Sequence, residues 1–517
     1  MKKLKLVCAA IAMACATPTW AGGLLTNTNQ HVAFNRMMSR EASIGIDGVY
    51  YNPAGVVFMG EGHHLAINWQ LAFQTRTINN DYALFTNNVN NPITPRDFKG
   101  TAFAPVIPSF QYAYNKGKWS FQASFALTGG GGKCTFDDGL GSFEKIVAET
   151  AIAACQLAGA VDQVAGAYGV PAIFSSNQCF GTEGKYSYNS YMHGRQYYYG
   201  LSAGAAYKFS DNFSAFLGVR GVYALTNYYG YVENIQVGQM PLYKVLNPAK
   251  ENSANIELSC DQSGLGFTPI IGVDYKTGRW NFAAKYEFKT RIRLKNKSVN
   301  QIPSIGNLPD NLRNAYIAKG VPETKADAIL RNPNIQAAMG ALKTQFDSKI
   351  DGAIGEYEDG KKIAGDIPAY LAIGVGYSPI NAVRVNVGFH WFDDKNATSY
   401  NNRNKELKRG TLEYNAGVEV DVNKKITLST GWQNTNYGLS DEYMDDKSFV
   451  VSSNSVAIGG VYHINKKMDL NVAYFHTFYQ HKKTTETVQL TADISRNYSS
   501  DYTRNNNVFA VGLDINF

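Results

Sequence analysis

Long apolar runs are missing from this chain. After an N-terminal leader, none of its 517 residues belongs to an apolar stretch of about 18, which excludes a transmembrane helix. Cysteine is scarce: Cys8 and Cys15 fall in the leader, leaving Cys134, Cys155, Cys179 and Cys260. They form no Cys-x-x-Cys spacing and have no histidine close by, so no metal site is expected. The metalloprotease HExxH, the Gly-x-Ser-x-Gly elbow and the Rossmann glycine pattern are all absent. Gly129–Gly132 before Lys133 looks superficially like a phosphate loop, but Cys134 stands where Ser or Thr is needed. His63 and His64 would point to opposite faces of a strand and so cannot share a metal. His476 has no serine partner for a lipase embedded in a barrel wall. No enzyme and no cofactor are expected. The net charge is +7, or +4 once Lys2, Lys3 and Lys5 leave, too little and too scattered for nucleic acid.

What is present begins with residues 1–21, a charged start, the apolar run Leu6–Ala16 and the cleavage site Thr19-Trp20-Ala21, read as a secretory signal. An exported chain without apolar helices can still span a membrane as a closed barrel. The strand pattern supports one. In His64–Thr75, Leu65, Ile67, Trp69, Leu71 and Phe73 share one face, with Asn68, Gln70 and Gln74 on the other. Phe213–Thr226, Trp280–Leu294 and Leu412–Val422 alternate likewise, and many strands reach the ten residues a tilted membrane strand needs. Six short turns alternate with seven long polar loops (77–100, 129–190, 229–262, 295–365, 394–410, 437–453 and 481–505) and so join about fourteen strands. The 33 tyrosines suit aromatic girdles at a membrane interface.

Residues 22–60 are too polar to cross lipid and too short to be a domain. Their centre is Tyr50-Tyr51-Asn52-Pro53-Ala54-Gly55, in which Pro53 restrains Asn52 and Ala54-Gly55 permits a tight bend. The expectation is a plug folded inside the barrel, with Leu24, Leu25, Phe34, Met37 and Met38 as its apolar side chains. Lys285, Lys289, Arg291 and Arg293 share the polar face of one strand, opposed only by Glu287, and Arg220 and Arg384 also point inward by alternation. Such a cluster could hold a carboxylate headgroup while its tail lies on the plug. The alternative is that these charges pair with Glu413, Glu419 and Asp421 across a wet lumen. Two loops carry helical patterns. One is capped by Ser142 and bears Phe143, Val147, Ala154, Leu157, Val161, Val164 and Tyr168. The other starts at Asn332-Pro333 and bears Ile335, Met339, Leu342, Phe346 and Ile350. They either form an apolar groove that gathers substrate or close the mouth. The four cysteines all fall in loops on one side, where an exported protein allows disulfides with three possible pairings.

An N-terminal segment with Asn52-Pro53-Ala54 at its core, followed by alternating strands and a final Phe517, resembles the FadL family of outer-membrane channels for long-chain fatty acids and other hydrophobic compounds. The resemblance covers nearly the whole mature chain, and Asp366-Ile367-Pro368-Ala369 is more loosely similar to a Leu-Pro-Ala element of that family. It implies an all-β fold: a 14-stranded antiparallel transmembrane barrel (61–517) with an N-terminal plug or hatch (22–60) and short helices in extracellular loops. It also implies a kink in the third strand that opens the wall sideways, and Gly129–Gly132 ends the third strand here. Access through flexible loops is the competing route. The terminal aromatic resembles the signal read by the barrel assembly machinery. The expected partners are a hydrophobic small molecule, outer-membrane lipid and lipopolysaccharide, and that machinery. The expected place is the outer membrane of a Gram-negative bacterium, the expected state a monomer. A general porin for small polar solutes and a surface adhesin are the other functional classes.

Overall fold

The computed structural model describes residues 24–337, 339–340, 343, 355–490 and 494–517. The expected leader and the loop-helix positions Leu342, Phe346 and Ile350 lie outside the described residues.

Fourteen antiparallel strands close into one barrel. They are β1 Gly62–Tyr82, β2 Arg96–Lys116, β3 Trp119–Phe136, β4 Tyr186–Lys208, β5 Phe213–Val237 and β6 Ile256–Thr277. Next come β7 (Trp280–Glu287, continuing as Arg293–Gln301), β8 (Lys362–Ala364, continuing as Tyr370–Ile380), β9 Val383–Phe392, β10 Thr411–Asn423, β11 Ile426–Asn436 and β12 Ser453–Asn465. The last are β13 (Met468–Tyr479, continuing as Lys482–Gln489) and β14 Ser495–Asn516. Each pairs with its sequence neighbours, and β1 pairs with β14 from His64↔Asn516 to Tyr82↔Tyr498, which removes both sheet edges.

The alternation sets the faces as expected. Ile67, Trp69 and Phe73 are exposed, while Asn68, Gln70 and Gln74 between them are buried. On β7, Trp280 and Phe282 point out and Asn281 and Lys285 point in. Apolar side chains outward and polar ones inward are what a lipid-facing barrel requires. The C-terminus is tied to the first strand: His63 and Phe517 exchange backbone hydrogen bonds of 2.8 and 2.9 Å and their rings stack. His63 and His64 do face apart, His63 toward Tyr112 and His64 toward Asn516.

The loops form a cap over one end. Its apolar core joins the long helix Gly141–Ala167 to the helices Leu308–Ala318 and Glu323–Leu330. Phe143, Val147 and Val161 are buried there as the helical pattern predicts, whereas Tyr168 is exposed. Ser142 is not the cap. The helix starts one residue earlier, and Asp446 from a distant loop accepts the Ser142 backbone N–H at 2.8 Å. In the other helix Asn332 Oδ1 accepts the Asn334 N–H at 2.9 Å, and Ile335 and Met339 are buried. The predicted loop 481–505 is mostly strand, since Lys482–Gln489 pairs with Ser495–Tyr502. This hairpin is polar on both faces, so alternation gave no signal for it.

The four cysteines expected as disulfides are free, buried thiols. Cys134 on β3, Cys260 on β6 and Cys155 on the long helix all belong to the apolar core of the cap, and the Cys155 thiol is turned to the Phe180 carbonyl oxygen at 3.5 Å.

Candidate functional site

Residues 24–60 run through the interior and meet the wall on nearly every side. The segment folds as two short helices, Val32–Met37 and Gly48–Tyr51, and a 3-10 turn, Gly55–Phe58. From Thr26 to Ala42 every residue is buried. Its central motif is fastened residue by residue. Asn52 donates to Asp274 on β6 at 2.6 Å and accepts the Gly55 N–H, the Pro53 carbonyl accepts Gln122 of β3 at 2.7 Å, and the Ala54 carbonyl accepts Ser214 of β5 at 2.7 Å. The bend that Pro53 and Gly55 create therefore presents consecutive polar groups to three different strands.

One side of this seat is dense. Arg36 pairs with Glu419 of β10 and donates to Ser429 and Asn471. Arg40 pairs with Asp47 at 2.7 Å and with Glu419 at 3.2 Å. His390 of β9 lies between Glu41 (2.7 Å) and Glu413 (2.8 Å). Gly417 and Gly431 stand opposite each other on β10 and β11, and a Cβ on either would overlap the Met37 carbonyl oxygen. The first helix can approach β10 and β11 so closely only because these two positions have no side chain.

The other side is open. The β2–β3 ladder runs from Lys116↔Trp119 to Ser109↔Ala126, stops, and resumes at Ala102↔Cys134. Pro105 and Pro108 remove ladder donors on β2, and β3 carries irregularities at Leu127/Gly129 and Gly131/Cys134. Gly130 has φ +73°, a left-handed value that glycine adopts without strain. The freed backbone of β3 pairs instead with the interior segment: Asn27 N–H donates to the Thr128 carbonyl at 3.0 Å, Gly130 N–H to that of Leu25 at 3.1 Å, and the Asn27 amide to that of Gly130 at 2.9 Å. A cavity of about 220 Å³ fills the break, lined by Phe103, Val106, Ile107, Leu127 and Tyr197 on the wall and Gln30 on the segment. Behind it lies an apolar cluster of Phe34, Met38, Tyr50, Tyr51, Ile107 and Phe475. Phe103 and Val106 are more than half exposed on the outer face. The cavity thus has an apolar rim on the wall and polar groups, Asn27, Asn29, Gln30 and Gln70, on its inner side.

The expected site residues divide. Phe34 and Met38 belong to the apolar cluster, and Met37 is buried against β10 and β11. Leu25 packs instead on Tyr198, Ile292 and Leu294. The Leu24 N–H is held by Asp394 Oδ1 at 3.2 Å. Asp394 lies in the loop beyond β9, where burial pushes its carboxyl up to about 6 against the Thr411 and Leu24 N–H groups. The four expected basic residues do not converge. Lys285 faces inward, spent on Glu287 (2.8 Å) and the Tyr50 carbonyl (2.5 Å), and Arg220 takes the same Glu287 at 2.6 Å. Lys289 reaches the Asn396 carbonyl. Arg291 and Arg293 point outward, because the irregular stretch between Glu287 and Arg293 reverses the parity and buries Ile292 and Leu294 instead. Arg384 pairs with Glu419 and Asp421, as the alternative had it.

Sequence reading missed Arg76. It is fully buried on the inward face of β1, and its Nη1 and Nη2 have no hydrogen-bond partner. Its Nε donates to Gln74 Oε1 at 3.1 Å, and Arg504, opposite it in register, donates to the same oxygen at 2.7 Å. The Gln70–Gln74 alternation carried one step further would have placed Arg76 inside. At the outer end, Leu157, Val161, Phe174, Phe180, Leu246 and Leu312 line a small apolar pocket of about 50 Å³ between loop helices. A larger polar cavity of about 920 Å³ beside it contains Glu356, Arg403, Asp445 and Lys447.

No protein-family model matches the chain, and no curated protein matches it in sequence. Among solved structures, a Pseudomonas aeruginosa FadL homologue is 14% identical and superposes with a TM-score of 0.59 over 96% of this chain and 100% of that one. A deltaS2S3 mutant of the monoaromatic hydrocarbon channel TodX is 13% identical, with a TM-score of 0.52 over 94% of this chain and 99% of that one. The fold of this chain is thus that of the FadL-type barrels.

Proposed function

We propose that this chain is a passive outer-membrane channel for a hydrophobic or amphipathic small molecule, with its own N-terminal segment as the plug. The observation that carries the reading is the break in the β2–β3 ladder, which joins an apolar cluster on the segment to the lipid-facing surface. Long-chain fatty acid is the first substrate class and monoaromatic hydrocarbon, after the TodX likeness, the second. The apolar pocket between loop helices would gather the molecule, Phe34 and Met38 would hold its chain, and the gap would release it sideways into the membrane. A carboxylate would find its counter-charge at Arg76 rather than at Lys285, whose charge is already spent on Glu287. The leader and the terminal Phe517 serve export and barrel assembly in this reading.

A reversible staple across the gap tests it. A Cβ on Gly132 would lie 3.2 Å from that of Ala104 on the facing strand, close to the roughly 3.8 Å that a disulfide spans. Cells carrying Ala104→Cys/Gly132→Cys should lose most uptake of labelled oleate or toluene when the pair is oxidised and regain it on reduction. Unchanged uptake with the staple formed would reject the lateral route.

A further inference from the structure

The parity reversal on β7 does more than remove two arginines from the interior: it builds a cationic row on the outer wall. From Arg291 upward, Arg291, Arg293, Lys295 and Lys297 are all exposed, with Ile292, Leu294 and Asn296 buried between them. Outward side chains on one strand recur about every 6.6 Å, so the row is roughly 20 Å long. Lys362 of β8 lies directly opposite Lys295 in register, and like charges so placed repel. At the lower end Lys289 and Lys405 both donate to Asn396, which brings two more cations alongside.

The acids nearby offset this row only in part. Asp366 is spent on Arg293 (2.9 Å), with Lys289 at 4.0 Å. Asp261 faces Lys297 in register and keeps its charge while accepting from Asn227, so it offsets one cation at the upper end, and Asp359 accepts the Ser298 N–H. Arg291, Lys295, Lys297 and Lys362 make no ion pair among the described residues.

The height of the row identifies its ligand. Below it the outward face of β7 is apolar, with Trp280, Phe282 and Phe288 exposed over roughly 20 Å of tilted strand. Beside Arg291 and Arg293, the adjoining strand β6 still exposes Leu265 and Phe267. Cations with long alkyl stems thus begin where the lipid-facing belt ends, the level at which acyl chains give way to anionic headgroups. We infer that Arg291, Lys295, Lys297 and Lys362 bind the phosphate groups of the phosphorylated glycolipid of the outer leaflet, and so fix the height and rotation of the barrel beside its lipid. This rests on the outer-membrane reading above.

Native mass spectrometry of the purified full chain in detergent, titrated with bisphosphorylated lipid A, tests it. The wild type should hold lipid A, and Arg291→Gln/Lys295→Gln/Lys297→Gln/Lys362→Gln should bind at least tenfold more weakly, with its β-sheet circular dichroism unchanged. The turn variant Lys424→Gln/Lys425→Gln/Lys466→Gln/Lys467→Gln removes as many charges from the opposite end and should bind like wild type. Equal binding by the row variant, equal loss in the turn variant, or equal binding of dephosphorylated lipid A would each overturn the inference. Full displacement by millimolar inorganic phosphate would assign the row to a free anion instead. Membrane fractionation separates the two readings: wild type in the outer membrane without lipid A binding defeats this inference alone, and wild type elsewhere defeats the earlier one.

Discussion

The interior segment meets two different walls. Toward β9–β12 it is bolted down by Arg36, Arg40 and Glu41 on Glu419, His390 and Glu413, over a pair of glycines that admit its backbone. Toward β2 and β3 it meets a ladder with a section missing and a cavity, and is held there by backbone hydrogen bonds at Leu25 and Asn27 and by neutral side-chain donors, Ser109, Gln111 and Gln122, rather than by ion pairs. Rigid anchoring on one side lets the other side be left unpaired without loss of register. On the function proposed above, movement is expected at Leu25–Asn27, beside the gap, while Gln30, held by Ser109 and Gln111, and the first helix stay seated.

Removing the central acid is the most severe way to break that contrast. Glu419 serves Arg36, Arg40 and Arg384; without it Arg40 keeps Asp47 and Arg384 keeps Asp421, and Arg36 is left with no acid among the described residues. Stranding a buried cation costs about 3–5 kcal/mol. Glu419→Gln should therefore loosen the anchored side, so that a cysteine-reactive probe placed at Ala33→Cys becomes accessible and planar-bilayer recordings show an open pore. A silent bilayer and a protected probe would mean that the anchoring lies elsewhere.

A smaller effect is expected from Gly431→Val, which fills the site of closest approach. Overpacking costs about 1–3 kcal/mol, and the obstacle here is the Met37 backbone rather than a side chain that can turn away. The first helix should shift off β11, with intermittent channel openings and a lower thermal midpoint in detergent. The mirror substitution on the open side, Gly131→Val beside the cavity, should lower the midpoint less. Equal destabilisation by both would abolish the distinction between the walls.

Much of this was legible in the sequence, and the failures share a cause. Period-two alternation places Ile67, Trp69 and Phe73 outside and Asn68, Gln70 and Gln74 inside because a closed barrel imposes one parity on a regular strand. The Asn52-Pro53-Ala54 bend was visible because proline and glycine act locally. What parity cannot register is its own interruption. Phe288–Ile292 contains no glycine and only ordinary strand formers, so nothing local announces the reversal that turns Arg291 and Arg293 outward. Gly129–Gly132 does announce an irregularity, but that its freed backbone pairs with Leu25 and Asn27 is a contact over about a hundred residues. The partners of Lys285 and Arg76 are likewise tertiary. Alternation on one strand suggested a basic lumen, but could not show that buried acids such as Glu287 and Glu419 had already taken up its cations.

The mildest test concerns the cap above the anchored wall. Burial pushes the Glu356 carboxyl up to about 7, against the opposing pull of Lys447 and Arg403, while Asp445 adds to the rise and Lys361 opposes it. A carboxyl held above its ordinary 4.5 in the folded protein binds a proton there that the unfolded chain releases. Its contribution is thus fully present below pH 4.5 and is lost as pH rises through 7. The thermal midpoint should climb by a few degrees from pH 8 to pH 5.5, and Glu356→Gln, which fixes the neutral form, should flatten that climb and raise the midpoint at pH 8. Because Glu356 sits in the outer cavity with Arg403 and Lys447, loop residues over β9–β12, the change should register as slower amide hydrogen exchange in those loops at low pH and leave the Leu25–Gly130 contact untouched. If exchange instead slows first at the β2–β3 gap, the cap and the gap are coupled, and the two walls cannot be treated as independent parts of one gate.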